Sequence, residues 1–275
     1  MGSEEKISAS KCAPLTARRR RRANIAAAIA VLLFLAALTG CQSVEKMLFP
    51  TPHTGVMTGN VSLRSGDAVI DAFYCPPPEN RPVILYSHGN YQYLAQLDPM
   101  ISEMISRNYG VLAYDYAGYG GSTGRAGEAQ SCLDIVAAWC YLTENQKISP
   151  ERIIVFGFSV GTGPSCHLAA HHRVGALVLA APFASACQVV LPFYLPLFDR
   201  FDNAGLVAEL DIPVLVFHGI DDTVIPFRNG RKVYDRAREP KKLVAVPGAD
   251  HNDLFAVLGE TFWLELANFA AAKLR

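Results

Sequence analysis

The sequence predicts an α/β fold in which a mostly parallel central sheet is covered by helices on both faces. Near-continuous apolar runs of strand length alternate with longer stretches of helical character, which is typical of parallel strands buried on both sides. The composition is 51% hydrophobic, and the roughly 225 residues after the N-terminal segment are enough for one substantial core. One apolar run also leads directly into Gly157-Phe158-Ser159-Val160-Gly161, a strand–turn–helix context.

Each element can be justified from its residues in chain order. An opening hairpin is predicted over 61–63 and 68–74, because Ser65-Gly66-Asp67 supplies turn residues between two strand-like runs. The other predicted strands are short apolar runs, at 83–87, 111–114, 153–156, 176–180, 214–217 and 243–246. The predicted helices lie at 94–107, 127–145, 162–171, 228–238 and 252–273.

The motif around Ser159 predicts a nucleophile elbow. Such a turn is so tight that the residues two positions before and after the serine must lack side chains, and Gly157 and Gly161 meet this requirement. The strain of the turn holds the serine Oγ above the edge of the sheet. Ser159 is therefore the candidate nucleophile, and the backbone N–H of Val160 is a candidate donor to an oxyanion.

Two later loops supply an acid and a base. Asp221 and Asp222 follow the predicted strand at 214–217, and His251 lies between the last predicted strand and the last helix. A serine hydroxyl becomes a good nucleophile when a histidine can take its proton, and a carboxylate must hold that histidine in the correct tautomer. The order serine, acid, histidine differs from that of chymotrypsin-like and subtilisin-like proteases. His251 is the predicted base, and both acids remain candidates at this point.

A second oxyanion donor is expected after the early strand at 83–87, which runs into His88-Gly89-Asn90. Gly89 allows the backbone to turn in closely, so we assign the donor to Asn90 N–H, with Tyr91 N–H as the alternative. His88 is interpreted as a residue that braces this loop, because His251 already fills the role of the base.

Five blocks together resemble one group of α/β-hydrolase-domain proteins, which includes the eukaryotic membrane-associated protein depalmitoylases and many bacterial relatives. The similarity covers roughly residues 61–275, in blocks at 88–90, 114–122, 157–163, 218–226 and 248–253. The resemblance implies the α/β-hydrolase fold and a serine hydrolase with the triad Ser159, Asp222 and His251. On the family pattern, the spacing from Gly219 and to Ile225-Pro226 favours Asp222 over Asp221.

Two substrate-binding regions are expected from this resemblance. Relatives usually carry a small residue where this chain has Tyr91, whose side chain would narrow an acyl pocket or supply an extra donor. The connection over 181–211 corresponds to a short cap, and its many aromatic residues suggest a pocket for an acyl chain in which Phe193 and Phe198 contact the substrate. In the alternative interpretation, these rings only pack against the edge of the sheet.

The N-terminal residues 1–40 are predicted to be a signal peptide. Arg18 to Arg22 form a basic region, a run of 16 residues that is apolar except for Asn24 spans 23–38, and Leu38-Thr39-Gly40-Cys41 resembles a bacterial lipobox. Cys41 would carry the lipid, 41–60 would be a short tether, and 61–275 would be the hydrolase domain. We therefore expect a lipoprotein in the bacterial cell envelope, and Gln42 favours the outer membrane. An uncleaved signal anchor is the alternative, although the apolar run is short for a membrane span.

Charge and cysteine content narrow the function further. The predicted mature part carries 18 basic and 23 acidic residues, a net charge of −5, which gives no basic patch for nucleic acid. Its cysteines have no spacing that suggests a zinc site or a disulfide framework. The sequence thus predicts a hydrolase without metal or cofactor that cleaves ester or thioester bonds of a small or lipid-like acyl substrate. The alternatives are a peptidase or amidase of the same fold, and a non-catalytic envelope lipoprotein that binds hydrophobic ligands.

Overall fold

The computed structural model describes residues 46–190 and 200–273, and within them an eight-stranded sheet forms the centre of the unit Glu45–Arg275. Its strands are β1 (Val61–Ser65), β2 (Ala68–Cys75), β3 (Val83–Ser87), β4 (Gly110–Tyr114), β5 (Ile153–Phe158), β6 (Ala176–Ala180), β7 (Val214–Gly219) and β8 (Lys241–Val246). They lie in the order β1-β2-β4-β3-β5-β6-β7-β8. The first two pairings are antiparallel and the other five are parallel, which confirms the opening hairpin and the mostly parallel sheet.

The α-helices that lie wholly within the described residues are α1 (Asp98–Ser106), α2 (Glu128–Cys140), α3 (Thr162–His171), α4 (Ala186–Val190), α5 (Asn203–Val207), α6 (Arg228–Arg236), α7 (Leu254–Leu258) and α8 (Glu260–Lys273). Three of the predicted helices are divided. The one predicted over 127–145 is α2 up to Cys140 and then a π-helix, Tyr141–Asn145. A 3-10 turn, Leu94–Gln96, precedes α1 in the range predicted as one helix over 94–107. The helix predicted over 252–273 consists of α7 and α8, because Gly259 between them has a φ of 49° and ends α7.

Different helices cover the two faces of the sheet. On one face, α2, α3 and α6 pack over side chains that include Leu85 and Val155. On the other face, α1, α7 and α8 pack over side chains that include Ile84 and Phe156. Every side chain of β3 to β6 is buried, which explains why these strands are continuous apolar runs and do not alternate.

Part of the segment 46–60 contacts the sheet domain, although most of its residues are exposed. The sequence predicted a tether over 41–60, yet Phe49 is buried with its ring edge-on to Tyr116, at 5.9 Å between ring centroids. The backbone N–H of Thr54 also donates to Gly120 O at 2.8 Å. The packed part of the chain therefore begins before residue 61. Residues 1–45, with Cys41, lie outside the described residues, and none of the helices in the described part is both long and apolar enough to cross a bilayer.

The predicted cap is described only in part, because Phe193 and Phe198 lie in the undescribed range 191–199. Two other aromatic residues of the segment, Phe183 and Phe201, are buried, and their ring centroids are 6.0 Å apart. Phe201 also lies against Phe49. Because Phe183 and Phe201 pack into the core, they agree with the alternative interpretation, in which the aromatic rings of this segment pack against the sheet.

Candidate active site

The strand–turn–helix around Ser159 has the geometry of a strained elbow. β5 ends at Phe158, a single 3-10 turn covers Ser159–Gly161, and α3 begins at Thr162. Ser159 has a φ of 53°, a left-handed conformation that is costly for a residue with a Cβ. A Cβ at Gly157 would lie 2.5 Å from Gly161 O, and one at Gly161 would overlap Ser87 O on β3. The glycines flanking the serine are therefore required by backbone contacts.

Ser159, His251 and Asp222 form a continuous hydrogen-bonded chain. His251 Nε2 lies 2.9 Å from Ser159 Oγ, and His251 Nδ1 lies 2.8 Å from Asp222 Oδ2. Since a carboxylate can only accept, Nδ1–H donates to Asp222 and Nε2 is left to accept the serine proton. All three residues are only 6% exposed, so water competes little for these hydrogen bonds. Both distances lie within the range that proton transfer requires.

The two adjacent acids have different surroundings in the acid loop, residues 220–226. Asp222 Oδ1 accepts the backbone N–H groups of Val224, at 2.9 Å, and Ile225, at 2.6 Å, which leaves Oδ2 directed at the histidine. Asp221 points elsewhere, and its Oδ2 accepts from Gly248 N at 2.8 Å. The structure brings Asp222, and not Asp221, to His251.

His218 lies beneath the acid loop. Its Nε2 is 2.8 Å from Ile225 O and 3.5 Å from Asp222 Oδ2. Burial lowers the pKa of His218, and the hydrogen bond to the Ile225 carbonyl opposes this effect. A neutral ring with its proton on Nε2 donates to that carbonyl and supports the loop from below. A Cβ at Gly230 of α6 would overlap its Nδ1, so a glycine is needed for the ring to fit.

Sequence reasoning missed a clamp between the acid loop and the base loop, residues 247–253. Asp250 Oδ1 accepts from Thr223 N at 2.7 Å and from His251 N at 2.8 Å. These hydrogen bonds, first that of the Thr223 backbone, lower the pKa of the Asp250 carboxyl. The Asp221–Gly248 bond joins the same two loops. Because no local pattern pairs residues so far apart in the chain, only the fold reveals this clamp.

The oxyanion loop, residues 88–93, is held in place by buried tyrosines. Tyr116 Oη donates to His88 O at 2.7 Å, and Tyr119 Oη donates to Asn90 O at 2.9 Å. His88 Nδ1 lies 2.8 Å from Gly89 O, and its ring is fully buried, which agrees with a bracing role. Tyr91 is 72% exposed, so its ring stands out from the loop into solvent.

Phe158, the second residue of the elbow motif, also contacts the site. Its ring is stacked on the His251 imidazole, with centroids 5.3 Å apart and planes 27° apart. The same ring lies against the backbone of Gly89, where an added Cβ would be 3.1 Å from Phe158 Cδ1. Phe158 occupies a variable position of the Gly157–Gly161 motif, which any residue can fill. The motif therefore could not predict this contact.

Other chemistries find less support in the described residues. Burial raises the pKa of the Cys132 thiol to about 12 and also raises the pKa of the Cys166 thiol, which disfavours a thiolate nucleophile at either position. No group of three or more His, Cys, Asp or Glu side chains within 46–190 and 200–273 is arranged to hold a metal ion.

Comparisons with known proteins agree with this architecture. A family model described as "Serine aminopeptidase, S33" matches residues 78–204. Alpha/beta hydrolase domain-containing protein 17B of Homo sapiens is 36% identical over 192 residues, which cover 69% of this chain and 67% of that protein. Alpha/beta hydrolase domain-containing protein 17C of Mus musculus is 37% identical over 180 residues, covering 64% of this chain and 56% of that protein.

Solved structures share the fold at low identity. The esterase Pf2001 of Pyrococcus furiosus has a TM-score of 0.66 at 18% identity, over 78% of this chain and 92% of that one. Est1E of Butyrivibrio proteoclasticus, solved with ferulic acid, has a TM-score of 0.61 at 18% identity, over 76% of this chain and 99% of that one. The chain therefore belongs to the α/β-hydrolase family, in the group of the alpha/beta hydrolase domain-containing 17 proteins.

Proposed function

We propose that this hydrolase cleaves carboxylic ester or thioester bonds through an acyl-enzyme on Ser159. The observation that carries the proposal is the buried chain from Ser159 Oγ through His251 to Asp222, with links of 2.9 Å and 2.8 Å. A serine held at a φ of 53° at the end of β5 is a costly arrangement, and such strain is concentrated at functional sites. The chemistry of acyl transfer accounts for every part of it.

The first half-reaction forms the acyl-enzyme. Ser159 Oγ attacks the acyl carbon while its proton passes to His251 Nε2, and the carbonyl electron pair moves to the oxygen. Asp222 stabilises the resulting imidazolium through the bond at Nδ1. When the oxyanion collapses, the bond to the alkoxide or thiolate breaks, and that leaving group takes the proton from Nε2. In the second half-reaction, water gives a proton to His251 Nε2 and attacks the acyl carbon of the acyl-Ser159 ester. When this second oxyanion collapses, the bond to Ser159 Oγ breaks, Oγ takes the proton back from Nε2, and the carboxylic acid is released.

The oxyanion is assigned to two backbone donors, Val160 N–H and Asn90 N–H. Val160 follows the nucleophile and is 3% exposed, so a hydrogen bond there would form in a site with little water. The Tyr119 bond to Asn90 O fixes the neighbouring peptide of the oxyanion loop. Preorganised donors of this kind contribute about 3–4 kcal/mol each to transition-state stabilisation.

The acyl group of the substrate is proposed to be apolar. Tyr91 stands exposed on the oxyanion loop, where its ring can cover one side of a bound substrate. Phe193 and Phe198 are proposed to contact an acyl chain from the cap. One solved structure that shares the fold, Pf2001 of Pyrococcus furiosus, is named an esterase, and the resemblance to depalmitoylases extends the proposal to thioesters.

Peptide or amide hydrolysis is the second candidate, and the description of the matching family model favours it. The same three residues would act in the same order, since acyl transfer from an amide differs only in the leaving group. Comparing kcat/KM for an ester, a thioester and an aminoacyl amide with the same acyl group separates the two. A faster reaction with the amide would favour the peptidase.

A place in the bacterial cell envelope is proposed from the sequence, through a lipid on Cys41. Two acyl chains on one thioether-linked glycerol anchor a protein stably, whereas a single chain binds a membrane only marginally. Cys41→Ser should abolish metabolic incorporation of a labelled fatty acid. Label retained by this variant would contradict the assignment, and a soluble wild-type protein would do the same.

The test of the function itself is Ser159→Ala. Loss of the nucleophile should reduce hydrolysis of p-nitrophenyl esters by several orders of magnitude and abolish labelling by a fluorophosphonate, while the circular dichroism spectrum stays unchanged. A variant that retains wild-type turnover would exclude Ser159. A wild-type protein that neither labels nor hydrolyses any acyl substrate would favour a hydrophobic-ligand-binding lipoprotein instead.

A further inference from the structure

We propose that Phe158 is a positioning residue, which holds the catalytic imidazole and the oxyanion loop against one ring. This proposal rests on the function proposed above. The stacked contact with His251 and the contact with the Gly89 backbone come from the same side chain, immediately before the nucleophile. Phe158 is only 9% exposed and therefore has little freedom to move away from either contact.

The hydrogen bonds of His251 leave one degree of freedom that the ring of Phe158 restricts. Bonds at Nδ1 and Nε2 fix the two ends of the imidazole, to Asp222 and Ser159, but they permit the ring to rotate about the line that joins those ends. The ring of Phe158, whose plane lies at 27° to the plane of the imidazole, opposes that rotation. Since hydrogen bonds weaken as their angles bend, restricting rotation keeps Nε2 aligned with the serine.

The aromatic face also favours the protonated imidazole that forms during the reaction. A cation over the face of a ring is attracted by its quadrupole, and the attraction is greater where water is excluded. The charged or titratable groups that also act on His251 are Asp222 and His218 from the acid-loop side, and Asp250 on its own loop. Phe158 adds an uncharged contribution from the opposite element, β5.

The contact with Gly89 couples the base to the oxyanion loop. The carbonyl of Gly89 accepts Gln92 N at 3.2 Å, and its N–H donates to Gln92 Oε1 at 2.9 Å, so the backbone that the ring touches belongs to a closed turn. Phe255 also packs edge-on against Phe158, with centroids 5.2 Å apart. Phe158 is thus supported by Phe255 while it contacts both His251 and the oxyanion loop.

The experiment compares Phe158→Leu and Phe158→Met, which keep apolar bulk without a ring, with Phe158→Tyr, which keeps the ring. We expect kcat for p-nitrophenyl butyrate to fall about 10- to 100-fold in Leu and Met, with KM changed less than about threefold, because misaligned groups cost rate more than binding. The acidic limb of the kcat/KM profile should move to lower pH by roughly half a unit, because the protonated imidazole has lost the ring face. Phe158→Tyr should keep kcat within about threefold of wild type.

Phe255→Leu is the matched control, since this ring contacts Phe158 but is not among the rings stacked on His251. It should loosen packing to a similar extent and leave the pH profile unchanged. Full kcat and an unshifted profile in both Phe158→Leu and Phe158→Met would overturn the proposal, as would an equal effect in Phe255→Leu. The Ser159→Ala result is independent of these outcomes: if that variant is inactive while the Phe158 variants behave as wild type, only the positioning role fails.

Discussion

Replacing Asp222 by asparagine exchanges one carboxylate oxygen for an NH₂ group. The contacts of the acid loop determine which of the two oxygen positions the NH₂ group takes. Asp222 Oδ1 accepts two backbone N–H groups, from Val224 and Ile225, while Oδ2 faces His251 Nδ1 at 2.8 Å. An amide has only one acceptor oxygen, and the two backbone donors will keep it in the Oδ1 position. The NH₂ group is then forced towards His251 Nδ1.

The consequence of this orientation is the wrong tautomer of the histidine. Nδ1 must accept from the amide, so the imidazole proton moves to Nε2, which can no longer take the proton of Ser159. In a triad of this kind, the same substitution lowers kcat by about 10⁴-fold, which corresponds to about 5.4 kcal/mol of transition-state stabilisation. We expect a loss of this size for Asp222→Asn with p-nitrophenyl butyrate.

Asp221→Asn is the matched control at the neighbouring position. Its Oδ2 accepts one backbone N–H, from Gly248, and the asparagine oxygen can accept the same bond in an exposed position. We expect kcat to change less than about threefold. Steady-state kinetics on both variants, with circular dichroism to confirm folding, provide the assay. Equal losses, or a greater loss at Asp221, would refute the assignment of the orienting acid.

Three further predictions follow from the same geometry. Gly161→Ala should lower the free energy of unfolding by about 1–3 kcal/mol in urea, because its Cβ would overlap Ser87 O; an unchanged midpoint would contradict this contact. Replacing Phe193 and Phe198 by alanine should lower kcat/KM for medium-chain esters more than for acetate, by about 1–3 kcal/mol per lost contact, and equal losses would support a packing role. Asp250, whose pKa is lowered by its hydrogen bonds, should stabilise the fold above pH about 4 and lose this effect as the pH falls through its folded pKa. The Tm difference between wild type and Asp250→Asn should therefore shrink below pH 4, and a difference that persists there would contradict this role.

Local sequence patterns were sufficient for the central sheet and for the turn at Ser159. Strands such as Ile153–Phe158 are fixed by a run of buried β-branched and aromatic residues, and the flanking glycines fix the turn that follows. The range of helix 252–273 was predicted but its break was not. Gly259 is one residue with a positive φ inside an otherwise helical pattern, and its conformation depends on how α7 and α8 pack.

The supporting contacts of the site could not be read from the sequence for a different reason. Tyr119 and Asn90, or Thr223 and Asp250, lie far apart in the chain and meet only because their loops leave the same edge of the sheet. The ring of Phe158 occupies a motif position that any residue can fill. Such contacts are set by the register of neighbouring strands, which the periodicity of one strand does not encode.

The most direct test of the central claim is to trap the acyl-enzyme. The protein is mixed with p-nitrophenyl butyrate, quenched in acid within the burst phase, digested, and analysed by mass spectrometry. We expect a burst of p-nitrophenol, and a butyryl adduct on the peptide that contains Ser159, which both disappear in Ser159→Ala. An adduct on another residue, or a burst that persists in Ser159→Ala, would contradict the proposal that Ser159 is the nucleophile.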